Sequence, residues 1–98
     1  MATLFFAVFR DAKEVALGNV IQESTIDIAA TSTQSAAAIT GENRQRNRVR
    51  VLADAACFVT WGANPTATND GLSGRPMATE VAEYFDIESG HFIACITR

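Results

Sequence analysis

Two stretches of this chain alternate between apolar and polar positions. In Val20–Ala30, Val20, Ile26, Ile28 and Ala30 share one parity, and Glu23, Thr25 and Asp27 share the other. A period of two belongs to a half-buried strand. From Arg46 the alternation returns, with Val49, Val51 and Ala53 on one parity and Arg46, Arg48 and Arg50 on the other. Leu4–Phe9 is a short Phe-rich run closed by Arg10-Asp11. Lys13–Leu17 alternates weakly and stops at the turn pair Gly18-Asn19. Ala55–Trp61 is apolar on both parities, which suits a central strand covered on both sides.

Other segments read as connections or short elements. Thr31–Ser35 is small and polar and predicts a loop or an edge; Ala36–Thr40 predicts a short strand, and Gly41–Asn47 a turn. Gly62–Met77 holds Pro65, Gly71, Gly74 and Pro76 and reads as the one long loop. Ala78–Tyr84 predicts one helical turn with Thr79 as its cap. Phe85–Glu88 and His91–Thr97 read as two strands around the turn Ser89-Gly90.

About six to eight short strands at intervals of roughly ten residues predict an all-β fold, a single small β-sandwich or β-barrel with one long loop. The 98 residues are enough for one domain, placed over residues 1–98. The expected core is Ile26, Ile28, Val49, Val51, Phe58, Phe85, Phe92 and Ile96.

Charge then narrows the functional classes. The net charge is −3, which argues against a general binder of nucleic acid, since such proteins are usually basic. No apolar run has the ~20 residues of a membrane helix. Met1–Phe9 lacks the positive leader region and the length of a signal peptide, so the expectation is folding in a cytoplasm. Cys57 and Cys95 stand 38 positions apart with no zinc spacing around them, and they read as unbridged, buried thiols.

Candidate chemistry is sparse. His91, the single histidine, lies four residues from Cys95, ~13 Å along an extended chain, too far to share a metal readily. Glu80, Glu83, Asp86 and Glu88 form an acidic cluster without the spacing of a calcium loop, and read as a solvated face. Gly71-Leu-Ser-Gly74 lacks the lysine of a phosphate loop. The expectation is therefore no enzyme, no cofactor and no metal. The more informative pattern is Arg44, Arg46, Arg48 and Arg50, which an extended backbone points to one side. This stripe reads as a solvated face, as a docking surface for acidic protein, or as a phosphate contact. Because the acids lie elsewhere in sequence, it suggests head-to-tail association of copies. The Phe-rich start, including Phe5 and Phe6, reads as core or as an interface in a homo-oligomer.

Five fragments carry a resemblance: Arg48-Val-Arg-Val51, Cys57-Phe-Val-Thr-Trp-Gly62, Asn64-Pro-Thr-Ala-Thr68, Glu83-Tyr-Phe85 and Ser89-Gly-His-Phe-Ile-Ala94. In this order they resemble the pattern of small β-rich virion proteins of tailed bacteriophages, over residues 48 to 96. The resemblance implies a non-catalytic β unit, assembled in symmetric copies in a virion. The first expectation is a capsid decoration or cement protein whose partners are itself and other phage structural proteins, foremost the major capsid protein. The alternative in the same class is a head–tail connector, collar or tail protein. The alternative of another class is a small carbohydrate-binding module using Trp61 or Tyr84 as a stacking platform.

Overall fold

The computed structural model describes residues 2–9, 20–40, 47–70 and 74–98. It is an all-β sandwich. Among the described residues eight strands run in chain order: β1 (Thr3–Phe9), β2 (Val20–Asp27), β3 (Thr33–Gln34), β4 (Asn47–Ala53), β5 (Cys57–Gly62), β6 (Arg75–Met77), β7 (Glu83–Ile87) and β8 (Phe92–Thr97). They form two antiparallel four-stranded sheets, ordered β2-β1-β4-β7 and β3-β8-β5-β6.

Parity decides which side chains fill the space between the sheets. Leu4, Phe6 and Val8 of β1, and Val49, Val51 and Ala53 of β4, are buried and face inward. Cys57 and Val59 of β5, and Ile93 and Cys95 of β8, meet them from the second sheet. Burying such side chains contributes about 1.5–3 kcal/mol each, and among the described residues one side-chain amide, Asn47, is buried as well. Its Nδ2 donates to Ile87 O at 3.0 Å and to Ser89 Oγ at 3.4 Å, so both amide hydrogens have acceptors at the start of β4.

The sheets are stitched at their ends. Gln22 of β2 donates through Nε2 to Ala38 O at 3.0 Å and accepts from Thr40 N at 2.8 Å, holding the 35–40 segment. That segment continues alongside β8, with Ser35 N donating to Ile93 O at 2.7 Å and Ile39 N to His91 O at 2.8 Å. At the other end Thr97 N donates to Ala29 O at 3.0 Å.

Several expectations change. Ala36–Thr40 is not a strand; the short strand is β3, in the stretch expected to be loop or edge. No helical turn forms at Ala78–Tyr84. Thr79 makes a parallel bridge to Ala53, and Glu80 takes φ 63°, a left-handed conformation that stops a helix. The long Gly62–Met77 loop contains β6, paired with β5 through Cys57↔Met77 and Val59↔Arg75. β7 and β8 are not hairpin partners but belong to different sheets, with Gly90 at φ 90° in the turn between them. His91 precedes β8 rather than lying in a strand. Phe58 and Phe92 are only half-buried, because their parity points them away from the main core. The weak Lys13–Leu17 element and the Gly41–Arg46 part of the expected turn lie outside the described residues.

Candidate functional site

The two outer faces of the sandwich differ. On the second sheet, Phe58 and Thr60 of β5 and Ala94 and Ile96 of β8 point outward, in the pairs Phe58↔Ile96 and Thr60↔Ala94. The 63–68 loop folds over them. Ala67 is buried against Ala94, Ile96 and Phe58, and its amide donates to Ser32 Oγ at 2.8 Å. The Arg98 guanidinium lies 5.6 Å from the Phe58 ring centroid. A second, smaller apolar cluster thus closes this face from within the chain.

Among the described residues, the first sheet has no such cover at its middle. Phe5, 44% exposed, and Tyr84, 45% exposed, stand on its outer side, and Val81, 50% exposed, lies just before β7. The cross-strand register sets their neighbours. One row runs Thr25–Phe5–Leu52, and the next runs Glu23–Ala7–Arg50–Tyr84. These rows line an open groove of about 720 Å³ whose walls are Phe5, Ala7, Glu23, Thr25, Arg50 and Leu52. Its floor is apolar and carries one cation, Arg50, and one anion, Glu23.

The arginine stripe is partly absorbed by the fold. Arg48 Nε pairs with Asp86 Oδ1 at 3.1 Å, because β4 and β7 set Arg48 opposite Asp86. Arg50 points out, with its guanidinium 5.7 Å from the Phe9 ring centroid. Neither Arg50 nor Glu23 has an ion-pair partner among the described residues. Arg44 and Arg46 lie outside the described residues. Of the two phenylalanines singled out in the sequence, Phe5 is on the open face, while Phe6 is 3% exposed and belongs to the core.

The acidic cluster is dispersed into separate pairs. Glu83 Oε1 accepts from Arg75 Nη2 at 3.3 Å, Asp86 holds Arg48, and Glu88 Oε2 lies 2.9 Å from His91 Nε2. The expected separation of basic and acidic surfaces therefore breaks down at β4 and β7. Among the described residues no three His, Cys, Asp or Glu side chains are placed to hold a metal. His91 stands at the turn with Glu88, whereas Cys95 is in the core, 3.7 Å from Asp27 O.

Both cysteines are free and buried. Burial pushes the Cys57 thiol up to about 11, against a smaller lowering by Arg98. Burial, with additions from Cys57 and Asp27, pushes Cys95 up to about 12. Thiols held protonated at neutral pH are poor nucleophiles.

A second groove, about 700 Å³, runs beside β5 and β6 past Trp61, Arg75, Pro76 and Glu83. Trp61 packs there on Phe85, while Tyr84 belongs to the row of Arg50 on the first sheet. The two aromatics do not form one stacking platform.

Leu52, Glu23, Ala82 and Tyr84 were not singled out in the sequence as parts of an interface. The signal was present: Leu52 has the outward parity of Arg48 and Arg50, and Phe5 has the parity opposite to Leu4 and Phe6. No family model, curated protein or solved structure matches this chain.

Proposed function

We propose that this chain is a structural component of a tailed-phage particle, a capsid decoration or cement protein that assembles non-covalently in symmetric copies. The observation that carries the assembly role is the unequal closure of the sandwich. One outer sheet face is sealed by the chain's own 63–68 loop, while the other leaves Phe5, Leu52 and Tyr84 around an outward Arg50. A small β unit with one open apolar face gains stability when that face meets protein. The virion setting is supported by the order of fragments from Arg48-Val-Arg-Val51 to Ser89-Gly-His-Phe-Ile-Ala94. Weak contacts repeated by symmetry add through multivalency, so each protomer needs only a modest interface. The partners in this reading are other copies and phage structural proteins, foremost the major capsid protein.

Counting the chain in purified particles tests the reading. Hundreds of copies per head fit decoration. About six or twelve copies, set by the symmetry of a portal vertex or tail ring, shift the reading to a connector, collar or tail protein. Absence from particles made by a host that expresses the chain overturns it.

A further inference from the structure

We propose that the open face of the first sheet docks against the same face of a second copy, about a two-fold axis running along β1. This rests on the reading of the chain as an assembly protein, and it names the occupant of the open face.

The charge pattern selects both the partner and the axis. Glu23 on β2 and Arg50 on β4 flank Ala7 of β1 in one cross-strand row. Each stands one strand spacing, ~4.8 Å, to either side of β1. They have opposite sign, and neither has an ion-pair partner among the described residues. A face-to-face pair of identical sheets has its two-fold axis in the plane between them. If the axis runs along β1, left and right exchange, so Arg50 of each copy faces Glu23 of the other, twice per dimer. If the axis runs across the strands, Arg50 faces Arg50 and Glu23 faces Glu23. Like charges in contact cost free energy, so that arrangement is disfavoured. An isologous contact needs a self-complementary patch, and this row is one.

The apolar residues fit the same axis. Phe5 lies on β1, hence on the axis, and meets Phe5 of the second copy. Leu52 and Thr25 flank Phe5 in its row, so Leu52 of one copy covers Thr25 of the other. Ala7 is small and buried, and lets the sheets approach at the centre. Four strands and seven residues give a face of about 19 by 23 Å, at the low end of specific interfaces. The dimer is therefore weak in free solution and gains from repetition on a particle.

The test uses the full chain in solution, without particles. Sedimentation equilibrium up to millimolar concentration is expected to show a monomer–dimer equilibrium that weakens as salt rises. Arg50→Glu and Glu23→Arg are each expected to weaken it about tenfold or more, and the double exchange to restore it. Phe5→Cys is expected to give a covalent dimer with a short bismaleimide cross-linker, since facing sheets lie ~10 Å apart, too far for a direct disulfide, while Thr66→Cys, on the loop over the second sheet, is not; the native thiols are buried. A wild-type chain monomeric at millimolar concentration overturns the dimer but leaves the particle reading standing, since the chain can still be counted in virions. A dimer that survives both single charge changes, or that fails to cross-link through Phe5→Cys, has another interface and also overturns the proposal.

Discussion

Trp61 of β5 and Phe85 of β7 bring their ring centroids to 4.6 Å, with 40° between the planes. They belong to different sheets, so the contact ties the two layers together where β7 leaves its sheet for β8. Arg75 adds to it from β6, with its guanidinium 5.4 Å from the Phe85 ring. Phe85→Ala is expected to cost about 3–5 kcal/mol, the usual loss for a buried phenylalanine. Since Trp61 is the only tryptophan, its emission should shift to the red in the same variant. Urea unfolding followed by fluorescence measures both.

Phe58→Ala should cost less. Phe58 is half-buried beneath Ala67 in the outer cluster and does not touch the main core. About 1–2 kcal/mol is expected, because only part of the ring's surface is removed from water. A loss as large as that of Phe85→Ala would show that the loop cluster is as tightly packed as the centre.

These two positions show what the sequence could and could not disclose. Period-two alternation at Val20–Ala30 and Arg46–Ala53, with the turn residues between runs, was enough to read an all-β sandwich or barrel and to place Val49, Val51 and Ile26 inside. Alternation also fixes which residues share a face, but it does not say which face is inward when both are apolar. In Ala55–Trp61 both parities are apolar, because the 63–68 loop covers the outer one, so Phe58 read as core. Strand pairing is a long-range property and was not legible either. Without the β4–β7 register, Arg48 and Asp86 read as members of separate charged patches, though they face each other. The open site was half-legible: Arg50 and Phe5 stood out, while Glu23, Leu52 and Tyr84 joined them only through the register.

Glu80 replaces the helical turn expected at Ala78–Tyr84. Its amide donates to Ala53 O at 2.8 Å while its φ is 63°. A side chain there costs roughly 1–2 kcal/mol that glycine does not incur. Glu80→Gly should therefore be neutral or mildly stabilising, since the relief is offset in part by a freer unfolded chain. Glu80→Val should be destabilising by more than about 1 kcal/mol, as β-branched residues are poorest at positive φ. Thermal melts of the two variants, run side by side, give the comparison.

The buried thiols give a dependence on pH. Both folded-state values, about 11 for Cys57 and about 12 for Cys95, lie above the ordinary value of 9.0. Above pH 9 the unfolded chain releases protons that the folded chain keeps, so the unfolded state is favoured. The stabilisation is complete below pH 9 and falls as pH rises towards 11 and 12. Urea midpoints at about pH 8 and about pH 11 should differ for the wild type, and differ less for the Cys57→Ala, Cys95→Ala double variant.

Asp86→Asn tests how much the Arg48 pair contributes. Both side chains are more than a third exposed, so the pair contributes little to stability, about 1 kcal/mol at most. The denaturant midpoint should barely move. A loss of several kcal/mol would mean that the pair holds β7 in its sheet.

In the proposed assembly the open face of the first sheet is the interface and the loop-covered face of the second is not. Hydroxyl-radical footprinting, read by mass spectrometry on the free chain and on the chain in assembled particles, tests this most directly. Phe5, Leu52 and Tyr84 are expected to be oxidised in the free chain and protected on assembly, while Pro65 and Phe58 change little. Equal oxidation of Phe5 and Tyr84 in both states, with protection confined to the 63–68 loop, would contradict it.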